Sequence, residues 1–116
     1  MIEIDVVLND AGFLSSCTIR GHAGAGPRGG DIVCAAVSVL ARTALKVLSE
    51  TEGVKVYSEA PERGFFYLEL EYTQTGGDFL YAVGLFLTTG LASIAGEYPD
   101  YCRMRVRQNH IINLME

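Results

Sequence analysis

The sequence predicts an α+β two-layer sandwich, in which a small mixed or antiparallel sheet carries two helices on one face in the order β-β-α-β-β-α-β. Five segments alternate apolar with polar residues, which is the pattern of strands that bury only one face. Two longer segments carry apolar residues at helical spacing or nearly throughout. A chain of 116 residues is long enough for one hydrophobic core, so residues 1–116 are expected to form a single domain.

The first two strands are predicted to form a hairpin. Residues 2–8 place aliphatic side chains on one side and acidic residues on the other. Asn9-Asp10-Ala11-Gly12 has the composition of a turn, and residues 13–20 put Phe13, Cys17 and Ile19 on a shared face. The hairpin therefore ends at Arg20-Gly21-His22.

Residues 31–50 are predicted to form the first helix, with Asp31 as its N-cap. This start puts Cys34 at the third helical position, at the edge of the core face. Ser38, Arg42 and Lys46 mark the side that faces water. The core-facing stripe recurs at helical spacing and comprises Val33, Val37, Leu40, Ala44 and Val47 or Leu48.

The second half of the chain is predicted to hold two strands, a helix and a last strand. Strands begin at Val54 and Phe66, and Gly76-Gly77-Asp78 opens a helix that runs to about Gly96. The apolar stretch of this helix is shorter than the ~20 residues of a membrane span, so we expect a buried helix and no membrane contact. Its small residues share a face that allows close helix–helix approach: Gly84, Thr88, Ala92 and Ala95. The open sheet face or this helix could pair in a dimer.

The charge of the chain argues against a nucleic-acid partner. Its formal net charge is −5, whereas sequence-independent binding to DNA or RNA needs a basic surface. Arg103, Arg105 and Arg107 alternate along the last strand, and we interpret them as a solvated strand face that Glu69 and Glu71 balance.

The cysteines predict a reducing compartment and no metal site. Their number is three and no signal peptide precedes them, which favours free thiols in the cytoplasm. Cys17 and Cys102 fall on apolar strand faces and are expected in the core. Because Cys17, Cys34, Cys102, His22 and His110 lack the spacing of metal ligands, we expect no metal and no cofactor.

The strongest chemical signal is a histidine at a strand end followed twelve positions later by a cysteine at a helix start. A thiol becomes a nucleophile when a neighbour takes its proton and a positive field stabilises the thiolate. His22 is the candidate for the first role, and the helix N-terminus supplies the second for Cys34. We expect Asp31 to fix the helix start, and the N–H of Cys34 to contribute to an oxyanion hole.

The loop between these two residues is rich in glycine. Gly24, Gly26, Arg28, Gly29 and Gly30 suit a flap that admits a substrate. The same loop also matches the dinucleotide fingerprint G-x-G-x-x-G, but a hairpin strand precedes it and Asp31 would face the pyrophosphate. The residues alone leave other interpretations open: a core cysteine, a redox-sensing thiol, or a non-catalytic module that binds an anion or a nucleotide through the glycine-rich loop.

The segments Gly21-His22-Ala23-Gly24 and Asp31-Ile32-Val33-Cys34-Ala35-Ala36-Val37-Ser38 resemble the ribosomal-processing cysteine protease family Prp. The resemblance implies a catalytic dyad of His22 and Cys34, with Gly21, Asp31 and Ser38 in supporting positions. It further implies a protease that removes a short N-terminal extension from large-subunit ribosomal protein twenty-seven, after a hydrophobic stretch that ends in an aromatic residue. Members of the family resemble one another in forming homodimers, so a homodimer is expected. The alternative to a protease is then a non-catalytic, ribosome-associated dimeric module that uses the glycine-rich loop.

Overall fold

The computed structural model describes residues 1–22, 28–60, 62, 64–74 and 77–108, with the backbone alone described at 28–31. Seven elements follow the predicted order. The strands are β1 (Ile2–Leu8), β2 (Leu14–Arg20), β3 (Val54–Glu59), β4 (Phe65–Tyr72) and β5 (Cys102–Gln108). The helices are α1 (Arg28–Ser49) and α2 (Asp78–Glu97). The α+β fold class is thereby confirmed.

The five strands form one mixed sheet in the spatial order β3-β4-β2-β1-β5. Neighbours run antiparallel except β1 and β5, which pair in parallel. Because β2 lies antiparallel to both its neighbours, the glycine-rich segment after it does not belong to a parallel βαβ unit. This removes the main structural support for a dinucleotide site.

Both helices pack on the same face of the sheet and against each other. The buried face consists of alternate strand residues, as the alternation in the sequence predicts. On α1 the predicted stripe is buried at Val33, Val37, Ala44 and Leu48, and Ala41 lies in the core where Leu40 is only partly buried. Cys17 and Cys102 are buried as predicted.

The helix α1 begins earlier than predicted. It starts at Arg28, so Asp31 lies inside the first turn and is not the N-cap, and Cys34 is the seventh helical residue. An acidic residue stabilises a helix from within the first turn as well as from the cap, and each glycine costs only about 1 kcal/mol there. The sequence at 28–31 therefore permits one more turn than the capping rule indicates.

The helix α2 follows its predicted bounds but is less buried than expected. One face packs inward through Leu80, Gly84, Leu87 and Leu91. Gly84 approaches Leu14 of β2, and the close contact with α1 is made by Gly90 against Leu40, so the predicted small-residue face does not line the helix pair. Both α1 and α2 have the length and composition of a membrane-crossing helix, but in the fold each packs one face on the sheet.

The arginines of β5 pair with different partners from those predicted. Arg105 lies 2.9 Å from Asp5, and Arg103 lies 3.4 Å from Glu3. Because β5 joins the sheet beside β1, it is far from the glutamates of β4 in the strand order. The predicted balance by Glu69 and Glu71 is therefore wrong. Such exposed pairs contribute little to stability, about 1 kcal/mol or less each.

Candidate active site

The two predicted reactive residues, His22 and Cys34, line the same surface groove. His22 follows β2 and is exposed, whereas Cys34 lies on α1 and is partly buried. The groove has a volume of about 1060 Å³ and runs between α1 and the ends of β2, β3 and β4. Its lining residues are Ile2, Ile19, Gly21, His22, Cys34, Ala35, Val37, Ser38, Ala41, Arg42, Leu45, Ala60, Gly64, Phe65 and Phe66.

Two backbone hydrogen bonds hold His22 at the end of the groove. The carbonyl oxygen of His22 accepts a hydrogen bond of 2.5 Å from the amino nitrogen of Met1. The N–H of Gly21 donates to the carbonyl oxygen of Gly64 at 2.8 Å, which ties the end of β2 to the turn before β4. These two hydrogen bonds fix the backbone on both sides of the histidine Cα.

Gly21 has a structural reason to be glycine. Its φ of +96° lies in the left-handed region, and a Cβ there would lie 2.3 Å from the carbonyl oxygen of Met1. Any side chain at this position would force either β1 or the backbone at His22 to move. Gly21 therefore supports the site through its backbone.

The imidazole of His22 packs against Gly64. Its φ is +86°, and a Cβ built on it would lie 2.7 Å from Nε2 of His22. The ring therefore packs directly over the Cα of Gly64. In sequence this glycine is only the end of an Ala-Pro-Glu-Arg-Gly turn, so its contact with the histidine was not predicted. The sequence feature that could have indicated this contact is the position of the glycine directly before a strand.

Cys34 lies on the groove side of α1, beside the core and not inside it. The predicted flanking position is confirmed, and exposed Ser38 lies one helical turn further along the same groove. Because Cys34 is the seventh residue of α1, its N–H falls within the hydrogen-bonded part of the helix. The expectation that this N–H contributes to an oxyanion hole is therefore wrong. The N–H groups without a helical partner belong to residues 28–31.

The other two thiols are held in their protonated form. Burial, and secondarily the charge of Asp5, raises the pKa of Cys17 to about 12. Burial also raises the pKa of Cys102, and the nearby Cys34 adds to that shift. Cys17 and Cys102 are therefore inert core thiols at neutral pH.

The remaining predicted site residues fall partly outside the described residues. Gly24 and Gly26 lie in 23–27, the side chain of Asp31 is in the part of α1 described by its backbone only, and His110 lies in 109–116. Arg28, Gly29 and Gly30 belong to the first turn of α1, so their assignment to a loop is wrong. Among the described residues, no three of His, Cys, Asp and Glu are grouped so as to hold a metal ion.

The groove was incompletely predicted from the sequence. Phe65, Phe66 and Leu45 make it apolar, and Arg42 adds a cation at its side. The hydropathy of strand β4 places Phe66 on the inner face, but it does not indicate that α1 leaves this end of the sheet open. A groove lined by apolar side chains, with a histidine and a cysteine at one end, can hold an extended peptide beside a potential nucleophile.

Comparison with known proteins was made at the level of sequence and of structure. The sequence profile of the family described as Cysteine protease Prp matches residues 1–103. No curated protein matches the chain.

Several solved structures share the fold. SMU.848 from Streptococcus mutans is 25% identical and superposes with a TM-score of 0.78, covering 94% of this chain and 96% of that protein. The essential ribosomal processing protease Prp from S. aureus, solved with a covalently linked product peptide, is 24% identical with a TM-score of 0.77 and coverages of 91% and 99%. The same enzyme with a substrate peptide is 23% identical, with a TM-score of 0.76 and the same coverages.

The profile match extends over β1 to the start of β5 and includes both His22 and Cys34. It covers far more than half of the chain, and the fold agrees with it throughout. The chain belongs to the cysteine protease Prp family, and it is a cysteine protease.

Proposed function

We propose that this protease removes the N-terminal extension of large-subunit ribosomal protein twenty-seven, with Cys34 as nucleophile and His22 as general base. The observation that carries the proposal is that two distant elements, the end of β2 and the second turn of α1, bring these two side chains to one groove. The S. aureus relative has been solved with a substrate peptide and with a covalently linked product peptide, which is what a nucleophilic mechanism would leave.

The chemistry proceeds through a thioester. His22 accepts the thiol proton of Cys34, and the sulfur attacks the scissile carbonyl carbon to form a tetrahedral oxyanion. The C–N bond then breaks as His22 returns the proton to the leaving amine. Water, deprotonated by His22, attacks the thioester and releases the acyl peptide and the thiol.

Stabilisation of the oxyanion is assigned to the N-terminal end of α1. Four N–H groups, those of residues 28–31, lack a carbonyl partner within the helix and carry its positive dipole end. Donors of this kind stabilise a developing negative charge without reorganisation during the reaction. We propose that Asp31 and Ser38 support the dyad, and that the glycines that precede α1 in the sequence, Gly24 and Gly26, admit the peptide.

The groove matches the type of substrate that the family resemblance implies. Its walls are apolar, and Phe65 and Phe66 lie close to the histidine end. A hydrophobic peptide with an aromatic residue before the scissile bond would bury its side chains there. Burial of one such side chain contributes about 1.5–3 kcal/mol to binding.

We further propose that the enzyme acts as a homodimer through α2. Phe79, Leu85 and Phe86 are exposed on this helix, and Phe86 has 74% of its surface accessible. Exposed apolar residues grouped on one helix are typical of an interaction surface. A cytoplasmic dimer without nucleic-acid or membrane contact is the assembly that we propose.

The function is tested with the ribosomal protein of the host organism. The purified precursor is incubated with the protease, and mass spectrometry of its N-terminus detects removal of the extension. Cys34→Ala and Cys34→Ser should abolish cleavage, and His22→Ala should reduce it by at least about 1000-fold because base and nucleophile act as one unit. Each variant should keep the circular dichroism spectrum of the wild type.

The control is Cys17→Ala, which removes a thiol that lies outside the groove. Its cleavage rate per folded molecule should match that of the wild type. Unchanged turnover by Cys34→Ala would refute the assignment of the nucleophile. Tight binding of the precursor without cleavage by the wild type would favour the non-catalytic, ribosome-associated alternative for this substrate.

A further inference from the structure

The face of the sheet opposite the two helices carries a patch of tyrosines and glutamates on β3 and β4. Tyr57, Glu59, Tyr67 and Glu69 point to this outer face, because the residues that alternate with them on β4 are buried under the helices. In the antiparallel register Tyr57 lies opposite Glu69, and Glu59 lies opposite Tyr67. Three of the four side chains are exposed and Tyr67 is partly buried. We call these four residues the tyrosine–glutamate patch.

The hydrogen bonds inside the patch use up its phenol protons. The hydroxyl of Tyr57 donates to Glu59, and the hydroxyl of Tyr67 donates to Glu69. The hydrogen bond to Glu69, with burial and the charge of that carboxylate, raises the pKa of Tyr67 to about 12, so this phenol stays protonated at neutral pH. The two rings contact edge to face, with centroids 6.3 Å apart. Each carboxylate keeps lone pairs for another donor, so the patch suits a cation with several N–H groups.

The two ends of the outer sheet face differ in how their carboxylates are neutralised. At the far end, the acidic residues of β1 pair with Arg103 and Arg105 at 3.4 and 2.9 Å. In the patch, no lysine or arginine nitrogen of the described residues lies within 4 Å of the carboxylate of Glu59 or Glu69. The charge of the patch is therefore not compensated within the described part of the chain.

Two cations border the patch, and each has a neighbour of its own on the sheet. Lys55 lies directly opposite Glu71 in the register, and opposite charges in such a cross-strand pair attract each other. The guanidinium of Arg20 lies over the ring of Phe65, 5.8 Å from its centroid. These contacts hold the two cations at the ends of the patch and leave its centre negative.

The patch adjoins the groove at the end that holds His22. Phe65 lines the groove, and Tyr67 follows it on the same face of β4 about 7 Å further along the strand. On β3, Glu59 directly precedes Ala60, which also lines the groove. An extended chain that leaves the groove beside Phe65 therefore reaches the patch within a few residues.

We propose that the tyrosine–glutamate patch is a docking surface for an arginine- or lysine-rich segment of the substrate protein on the C-terminal side of the scissile bond. This inference rests on the proposed function, which supplies the partner: a ribosomal protein needs a basic surface to bind RNA, whereas the protease has a formal net charge of −5. The apolar groove takes the hydrophobic extension, so the basic part of the substrate lies outside it. A guanidinium stacks on a tyrosine ring and donates to the carboxylate beside it.

The test measures cleavage of two substrates, the full-length precursor and a peptide that spans the cleavage site and ends shortly after it. The double variant Glu59→Gln/Glu69→Gln should raise KM for the precursor by roughly 3- to 10-fold and leave kcat unchanged. Its KM for the peptide should stay that of the wild type, because the peptide lacks the basic segment. Glu3→Gln/Asp5→Asn is the matched control: it removes the same charge from the other end of the same sheet face and should leave both KM values unchanged.

The outcomes separate this inference from the proposed function. An unchanged KM for the precursor in Glu59→Gln/Glu69→Gln overturns the docking surface and leaves the proposed function standing. An equal rise in the control variant assigns the effect to net charge, and an equal rise for the peptide assigns it to the groove, so either result also overturns it. Altered sedimentation of Glu59→Gln/Glu69→Gln overturns it too, since the face would then contact a second copy of the chain. Failure of the wild type to cleave the precursor overturns the proposed function and the inference together.

Discussion

The two helices lie side by side on one sheet face and have similar lengths, 22 residues in α1 and 20 in α2. Each buries one face against the sheet, yet their other faces differ in chemistry. Along the groove α1 presents Cys34, Ser38 and Arg42, whereas α2 exposes Phe79, Leu85 and Phe86.

This difference shows that the core determines only one face of each helix. The outer face of α1 exposes Ile32 and Val39 but also carries polar side chains where the end of the sheet is left uncovered, so it can carry chemistry. The outer face of α2 is apolar and has no partner among the described residues, so it suits assembly. The comparison predicts that changes near α1 alter reaction chemistry and that changes on α2 alter oligomeric state or stability.

The largest expected contrast is in thiol reactivity between the groove and the core beneath the helices. Iodoacetamide should modify Cys34 at pH 7.5 at least about 1000-fold faster than Cys17. The thiolate is the reacting species, and burial raises the pKa of Cys17 to about 12, so its thiolate forms only at strongly alkaline pH. Mass spectrometry of the digested protein measures both sites, and urea-unfolded protein, in which both should react, is the control. Equal labelling in the folded state would break the distinction between the two regions.

A second contrast is between Gly64, which contacts the imidazole of His22, and Gly53, which does not. Gly64→Ala should lower kcat/KM by about 10- to 100-fold, because the new Cβ would lie 2.7 Å from Nε2 and must displace the imidazole. Gly53→Ala is the matched control: its φ of +93° gives similar backbone strain, but its nearest neighbour, Gln74, is at an ordinary 3.5 Å. Both variants should lose stability, about 1 kcal/mol each. Equal activity in the two would contradict the positioning role of Gly64.

The fold could be predicted from the sequence because its burial pattern is local. Strand alternation and helical spacing determine which face of each element is apolar, and those faces meet in one core. Spatial strand order is different: the pairing of β5 with β1 depends on a long-range contact, so the salt-bridge partners of Arg103 and Arg105 were predicted wrongly.

The site could be predicted as residue types but not as a geometry. A histidine at a strand end and a cysteine near a helix start indicated nucleophilic chemistry, and the motifs around them indicated the family. The start of α1 was misplaced because Asp31 is favourable both as a cap and within a first turn. The contact of Gly64 with His22 was missed because it depends on which side chain the fold brings opposite this glycine.

On the α2 side, the strongest effect is expected on association. Phe86→Glu should weaken association by roughly 10-fold or more, because in the proposed homodimer it would replace an aromatic contact with a charge at the interface. Thr43→Glu, which adds the same charge at an exposed position of α1, should leave association unchanged. Sedimentation velocity over a concentration series measures both variants. A wild type that stays monomeric at all concentrations, or a dimer that tolerates the Phe86 change, would contradict the assignment of α2 to assembly.

The smallest expected effects are on stability. They differ between Gly84 of α2, which packs against β2, and Gly96 of the same helix, which has open space around it. A Cβ on Gly84 would lie 2.9 Å from Cβ of Leu14, which no rotamer change can move because it is bonded directly to the backbone, so Gly84→Ala should destabilise the fold by about 1–3 kcal/mol. Gly96 has nothing within 4 Å of the added Cβ, so Gly96→Ala should stabilise it by about 0.5–1 kcal/mol through helix propensity alone. Urea unfolding midpoints measure both changes. If Gly84→Ala proved as stable as Gly96→Ala, then the contact of α2 with β2 would be looser than the 2.9 Å approach indicates, and the glycine would reflect no packing requirement.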